Sequence, residues 1–553
     1  MRGKSFFDYL SDPAYLIFER EWDRDKVSFY ETIFTLGNGY VGIRGVLDEN
    51  PTFAHPGTYF VGVYDSVGTH VPEIVNAPNP INFSIFYGGE KVSVENMDVI
   101  SHRRILDIRK GILYRKTEFL SSFKKKILFS SLRFLSMKNP HLLVITLEIQ
   151  LPDSSGIIHI DSSIDTNAYN LGMLTEGKKI HYHILDFEKK DEINILLTKT
   201  LEKEFVLAYG HTKKIVKGKT HYFTSKRQIS VKLKRKDVLR IYNYFWLEKF
   251  SSEFVNKLSH VKNRIFTKFK KEIHKNFDKL LEESFKIWEK KWEIADVSIR
   301  GDRDIERSLR FNIYHLINSC PRKEVDASIP ARGVSGEGYR GHVFWDTEIF
   351  IFPFFVYLFP DMAKNLLLYR VRRLEKAREI AKRNGYEGVM FPWESAHTGD
   401  ETTPAWSKDF DGRIIRIYTH QQEHHITGDI GYALILYFRM TQDYEFMLKY
   451  GLELLFEIAR FWSSRLEYNK KRRVYEIKKV MGPDEFHPDV NNNAYTNFIA
   501  KYILEEGIKF YKFFSSKFKK EFSKVIKRIS CLLYTSDAAD EGLGVDLGGR
   551  RII

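Results

Sequence analysis

The apolar periodicity of the chain changes once, near residue 250, and that change restricts the fold more than any other feature. Before it, apolar residues alternate with polar ones or form short runs, as in Leu142-Leu-Val-Ile-Thr-Leu-Glu-Ile, Ile157-Ile-His-Ile and Lys91-Val-Ser-Val. Turn formers separate the runs: Gly88-Gly89, Pro152-Asp153, Lys217-Gly218. A two-residue period sends successive side chains to opposite faces of a strand, so this part reads as an antiparallel β-sandwich. From Glu253 to Ile294 there is neither Gly nor Pro, and Leu280, Leu281, Phe285, Ile287 and Trp288 recur about a helical turn apart. That segment predicts a helical connector. Beyond it the pattern predicts helices at 304–320, 343–359, 361–384, 421–441, 443–465, 492–512 and 515–529. The loops between them are dense in Gly, Trp, Glu and His, and helices with chemistry on their connecting loops point to a helical barrel or toroid.

The expected organisation is therefore multidomain: a β-sandwich over 1–252, a helical linker over 253–295 and a helical catalytic domain over 296–530. Residues 531–553 stand apart, with no lysine and four glycines, and read as a non-native tail. Composition agrees with a folded chain, since 43% of residues are hydrophobic and 29% charged, which excludes disorder. The longest apolar run, Ile349 to Phe359, contains Pro353 and falls short of the roughly 18–20 residues of a spanning helix. Asp12-Pro13 interrupts the N-terminus before any signal-peptide core develops. The expectation is a cytoplasmic protein without a membrane partner. Two cysteines, Cys320 and Cys531, make no disulfide framework. The net charge of +15 is dispersed over Lys124–Lys126, Lys234–Lys236, Lys268–Lys271 and Lys517–Lys520. It reads as a lysine-rich solvated surface rather than a nucleic-acid site.

Three short motifs carry chemistry. Gly37-Asn-Gly-Tyr-Val-Gly42 has the spacing of a dinucleotide loop, but Ile43-Arg-Gly-Val-Leu and Pro51 follow where a helix is required. It reads as a glycine-rich turn in the β-domain, after a strand at Thr32-Ile-Phe-Thr-Leu. His420-Gln-Gln-Glu423-His424 has the inverted zinc-peptidase spacing. On a helix, positions i and i+4 share a face, so His420 and His424 could hold zinc while Glu423 activates water. The alternative places these residues beside a sugar pocket. Met481-Gly-Pro-Asp-Glu485-Phe-His-Pro is held out of helix by Gly482, Pro483 and Pro488. Asn491 or Asn492 is the expected cap of a following helix that buries Ala494, Phe498, Ile499, Tyr502 and Ile503. A carboxyl at Glu485, beside Phe486 and tryptophans, would be partly withdrawn from water, which raises its pKa toward that of a general acid. From this motif alone, Asp484 and Glu485 read more readily as ordinary anions near a helix N-terminus.

Two further loops shift that balance. Arg332-Gly-Val-Ser-Gly-Glu-Gly-Tyr-Arg-Gly-His342-Val-Phe-Trp345-Asp346-Thr-Glu348 and Phe391-Pro-Trp393-Glu394-Ser-Ala-His397-Thr-Gly-Asp-Glu401 each hold a tryptophan followed directly by a carboxylate. A pyranose stacks its C–H faces on indole and offers hydroxyls to carboxylates, so Trp345-Asp346 and Trp393-Glu394 supply both halves of a sugar site.

Taken together, the blocks Glu31-Thr-Ile-Phe-Thr-Leu-Gly-Asn-Gly-Tyr, Gly336-Glu-Gly-Tyr-Arg-Gly-His-Val-Phe-Trp-Asp-Thr-Glu, Trp393-Glu-Ser-Ala, His420-Gln-Gln-Glu-His and Gly482-Pro-Asp-Glu-Phe-His resemble glycoside hydrolase family 65. That family includes the maltose, trehalose, kojibiose and nigerose phosphorylases. The resemblance runs from about residue 15 to about residue 530. It implies an N-terminal β-sandwich, a helical linker, an (α/α)6 barrel and a small C-terminal β-domain. It also implies an inverting reaction with Glu485 as general acid, a glucosyl subsite formed by Trp345, Asp346, Trp393 and Glu394 with His420 close by, and homodimerisation. Inorganic phosphate would be co-substrate to a small-molecule sugar, with no metal or other cofactor. The family's later lysine–glutamine loop and Gly/Ser-rich phosphate loop have no counterpart here, and about seven helices stand where the barrel has twelve. The expectation is a fragment with an open, incomplete barrel, poor folding and no activity.

Overall fold

The computed structural model describes residues 5–68, 71–171, 177–203, 205–408 and 411–537. The chain forms two compact units, Met1–Val325 with Arg332–Gly341, and Asp326–Ala331 with His342–Ile553.

The first unit is built on a ten-stranded antiparallel sheet. In spatial order its strands are Leu16–Glu19, Asp98–Asp107, Ile112–Leu120, Lys126–Leu135, Leu142–Gln150, Val238–Phe250, Val206–Lys217, Ile193–Thr200 and Tyr182–Lys190, with Thr220–Thr224 added on Val206–Lys217. Two four-stranded sheets accompany it. The alternation read from the sequence is the register seen: Leu142 pairs with Trp246 and Val144 with Tyr244, and all four are buried in one core. Segment 253–295 forms two helices, Leu258–Ile273 and Phe277–Ala295. Asn276 caps the second, its side chain accepting from Asp278 N–H. Val261, Ile265, Phe269, Leu280 and Leu281 enter the same core as the strands, so the helices' apolar stripe is buried on the sheet.

Two local readings change. Residues Val27–Ile33 form a helix, not a strand, and the strand before the glycine turn is only Leu36–Gly37. The tertiary partners decide this, because Gly45 N–H donates to Glu31 C=O and Tyr314 Oη donates to Thr35 C=O. The strand at Lys91-Val-Ser-Val ends at Lys91, with one last backbone bond from Val92 N–H to Ile85 C=O. The glycine-rich motif is a turn, as read. Asn38 Oδ1 accepts from the N–H groups of Tyr40 and Val41, and Gly39 stands at φ +73°. A β-carbon on Gly39 would lie 2.3 Å from the Cys320 carbonyl oxygen, so close backbone approach explains the glycine without any nucleotide.

The second unit is helical. Its principal helices are Phe352–Leu358, Pro360–Val371, Leu374–Arg383, His425–Thr441, Leu452–Arg465, Ala494–Lys517 and Lys519–Asp537. The fold is thus an antiparallel, sheet-rich N-terminal part followed by a helical region, as the sequence predicts. Pro353 has no N–H to donate, and the turn before it widens so that Phe352 N–H reaches Thr347 C=O. Asn493, not Asn491 or Asn492, caps Ala494–Lys517, its side chain accepting from Thr496 N–H. That helix buries Ile499 and Ile503 but leaves Ala494 exposed and Tyr502 half-buried, and Phe498 is 66% exposed. Residues 538–553, most of the segment that composition sets apart, lie outside the described residues. Among the described residues no helix is long and apolar enough to cross a membrane.

Candidate active site

Two tryptophan-bearing loops of the helical unit are tied to each other by backbone. Val343 N–H donates to Ser395 C=O at 2.9 Å and Ser395 N–H to Val343 C=O at 3.0 Å. Each loop is also anchored beneath. Arg370 clamps Glu348 in a buried two-pronged pair, Nε to Oε1 at 2.7 Å and Nη2 to Oε2 at 2.9 Å, and Nη2 also reaches Phe344 C=O. Tyr369 Oη donates to Ala396 C=O at 2.7 Å, and Phe391 N–H donates to Thr427 Oγ1 at 3.0 Å. The consequence is that Trp345 and Trp393 lie side by side, ring centroids 6.4 Å apart and 30° from coplanar.

Beneath both indoles sits His425, edge-on at 4.8 Å from Trp345 and 5.5 Å from Trp393, and Tyr495 packs against it at 5.1 Å and against Trp345 at 5.8 Å. His425 Nδ1 is 2.7 Å from Asp429 Oδ2, one turn along the same helix, and Nε2 is 2.8 Å from Glu423 Oε2. Tyr495 Oη donates to Asp429 Oδ1 at 2.8 Å. Burial opposes a charge on this imidazole, but the two carboxylates prevail and hold its pKa up at about 9. A buried cation between two anions therefore forms the floor of the site.

The acids named from sequence gather above that floor. Glu394 accepts from His342 Nδ1 at 2.6 Å. Asp346 stands half-buried at the start of the widened turn, and withdrawal from water raises its pKa. Glu485 lies at the tip of the loop 480–490. Partial withdrawal from water raises its pKa, the negative charges of Glu394 and Asp346 add to the rise, and His425 opposes it. The side chain still reaches solvent. The structure thus brings Trp345, Asp346, Trp393, Glu394 and Glu485 together. Phe486 contributes nothing to the desolvation expected of it, being 92% exposed. His420 is half-buried, and burial and the Arg416 charge lower its pKa. Among the described residues no hydrogen bond, ion pair or ring contact joins it to the tryptophans or to Glu485.

The zinc reading of His420, Glu423 and His424 does not survive the backbone. The helix Thr419–Gln422 stops before Glu423, and a new helix begins at His425, so the i, i+4 face never forms. Both nitrogens of His424 are engaged, Nε2 donating to Gln421 C=O and Nδ1 accepting from Arg465 Nε. Burial and the Arg465 charge push its pKa down to about 3. Among the described residues no cluster of three or more His, Cys, Asp or Glu side chains could hold a metal.

Sequence reasoning passed over four contributors. His342 and Glu401 lie inside quoted blocks without a role assigned. Glu401 Oε2 accepts from Trp393 N–H at 2.8 Å, while Oε1 accepts from Thr403 N–H and Oγ1, so it fixes the backbone that bears Trp393 and Glu394. Burial pushes its carboxyl up to about 7. His425 and Asp429 offered one legible signal, an i, i+4 acid–imidazole pair facing the core of an apolar helix.

With this geometry in place, the comparisons with known proteins are consistent along the chain. The family model described as glycosyl hydrolase family 65, N-terminal domain, matches residues 17–291, and that described as glycosyl hydrolase family 65 central catalytic domain matches residues 310–545. A kojibiose phosphorylase of Thermoanaerobacter brockii is 37% identical over 95% of this chain and 69% of its own length. A nigerose phosphorylase of Lachnoclostridium phytofermentans is 33% identical over 92% of this chain and 70% of its own length. A solved structure of a candidate kojibiose phosphorylase from the human microbiome superposes with a TM-score of 0.80 at 25% identity, covering 94% of this chain and 68% of that one.

Proposed function

Since this chain belongs to glycosyl hydrolase family 65, we propose that it carries the proton donor and glucosyl subsite of an inverting disaccharide phosphorylase, which cleaves an α-glucosidic disaccharide with inorganic phosphate to β-glucose 1-phosphate and a free sugar. The observation that carries the reading is the convergence of Glu485 on the acids that flank two adjoining indoles. The half-buried Trp345, backed by the buried Trp393, offers an apolar face to the ring, and Asp346 and Glu394 take its hydroxyls and restrict its pose. Glu485 protonates the glycosidic oxygen as the C1–O bond stretches, and phosphate attacks C1 from the opposite face. Phosphate brings its own negative charge, so no protein base is required. An inverting hydrolase needs a second carboxylate about 6.5–9.5 Å away to activate water. Of the two acids whose charges raise the Glu485 pKa, Glu394 is engaged by His342, and in this reading Asp346 is committed to the sugar hydroxyls. Cytoplasmic residence and pairing with a second copy belong to the same reading.

The test is phosphorolysis of kojibiose and nigerose by the protein and by Glu485→Gln, with and without phosphate, and turnover by the protein overturns the expectation of no activity. Turnover should depend on phosphate and fall by roughly 10²–10⁴-fold in the variant, with sugar binding largely kept. More than about a tenth of parental turnover in the variant refutes the general-acid role. Release of free glucose without phosphate would favour the hydrolase.

A further inference from the structure

We infer that Gln422 is the positioning residue of the proton donor, its carboxamide bracing the loop that carries Glu485; the inference rests on the general-acid reading of Glu485. The loop leaves and rejoins the protein through a neck, where Val480 N–H donates to Val490 C=O at 3.0 Å and Val490 N–H to Val480 C=O at 2.8 Å. Below the neck, Asn492 and Asn491 Oδ1 accept from the N–H groups of Ile477 and Lys479. Above it, among the described residues, every hydrogen bond that ties residues 481–489 to the rest of the protein ends on Gln422. Its backbone carbonyl accepts from Met481 N–H at 3.1 Å. Its Oε1 accepts from Asp489 N–H at 2.7 Å, and its Nε2 donates to Asp489 Oδ1 at 3.1 Å. One buried amide thus meets the backbone and the side chain of one residue at the same time.

Beyond the buried Met481 and Gly482 at its root, no other hydrogen bond among the described residues fixes this loop. Residues 483–489 are exposed, so burial does not hold it, and the bonds within the tip join Asp484 only to Phe486 and His487. Asp489 is in the left-handed region at φ +57°, a conformation a non-glycine residue keeps only under outside constraint. Gln422 itself is 7% exposed and ends the short helix that precedes Glu423 and His425. Gln422 thus directly precedes Glu423, whose carboxylate meets His425 beneath the indoles. A proton donor misplaced by about 1 Å costs on the order of 10²-fold in rate, which gives the brace its catalytic weight.

A charge-conserving exchange separates this role from general structural support. Gln422→Glu keeps the acceptor for Asp489 N–H but sets a carboxylate against the Asp489 carboxylate. Asp489→Asn alone leaves the donor–acceptor pair intact. In the double variant Q422E/D489N the amide introduced at position 489 donates to the carboxylate introduced at position 422, and the pair is restored with its sense reversed. Amide exchange over residues 482–490 of the intact chain should rise at least tenfold in Gln422→Ala and in Gln422→Glu. It should stay within about twofold of parent in Asp489→Asn and in the double variant. Phosphorolysis should follow, kcat falling at least tenfold in the first two with KM within threefold, and recovering in the double variant. Exchange in Gln422→Ala within twofold of parent, or no recovery in the double variant, overturns the inference. If Gln422→Ala does not fold, the isosteric Gln422→Glu and the double variant carry the test. Glu485→Gln runs alongside: full turnover there sinks the general-acid reading, while exchange still decides whether Gln422 braces the loop.

Discussion

The buried imidazolium of His425 makes a pH-dependent stability prediction whose size follows from its surroundings. Burial disfavours its charge, but the bonds to Asp429 and Glu423 outweigh that cost and raise the pKa from 6.5 to about 9. Between those values the folded protein holds a proton that the unfolded chain has lost. Stability from this group is therefore complete below pH 6.5 and disappears as pH rises through 9. At about 1.4 kcal/mol for each pH unit, the contribution is on the order of 3 kcal/mol. Burial also raises the carboxyls of Glu423 and Asp429, so they act in the same direction and do not cancel it. His425→Gln removes the charge, keeps most of the volume and leaves two buried carboxylates without a cation, a loss of about 3–5 kcal/mol when one partner of a buried pair is deleted. The assay is a urea titration of parent and variant at pH 6 and pH 9.5, read by pulse proteolysis on fragments of the helical unit. The gap between the two proteins should be several kcal/mol at pH 6 and narrower by about 3 kcal/mol at pH 9.5. A gap of the same size at both pH values means that His425 is neutral in the fold, and the charged floor described here is wrong.

Two other perturbations test how the tryptophan loops are held. Gly388 stands at φ +71°, and a β-carbon there would lie 2.2 Å from the Glu457 carbonyl oxygen and 2.7 Å from Phe461 N; Gly388→Ala should destabilise the helical unit by about 2–4 kcal/mol in the same urea assay, since neither backbone neighbour can yield. Glu401→Gln replaces one of two acceptor oxygens by an NH₂ group that faces either Trp393 N–H or the Thr403 donors, and should cost about 1.5–3 kcal/mol in urea and raise KM for the disaccharide several-fold; unchanged stability and KM would show that the loop does not depend on this carboxylate.

Where the sequence was informative, the signal was repeated; where it misled, one tertiary contact decided the matter. Strand alternation before residue 250 and helical spacing after it recur over many residues, so both parts of the fold were legible, and predicted helices such as 304–320 match Arg303–Ser319 closely. The break between Pro360–Val371 and Leu374–Arg383 was not legible, because no Gly or Pro marks it. Arg372 and Arg373 both reach Asp326, and Arg373 also donates to His397 C=O, contacts whose partners are remote in sequence. Phe486 and Phe498 misled in the opposite way, since apolar residues beside the loop of Glu485 invite an assumption of burial that exposure contradicts. The motif His420-Gln-Gln-Glu-His joins both failures. Read as an uninterrupted helix, its spacing suggests a metal. The interruption comes from Gln422 turning to Asp489 and Met481, and from Glu423 meeting His425. Those contacts remove the metal geometry and build, from the same residues, the floor and the brace of the proposed sugar site. A spacing motif fixes chemistry only when its backbone is known to be continuous, and here the residue that ends the helix is the one that holds the acid loop.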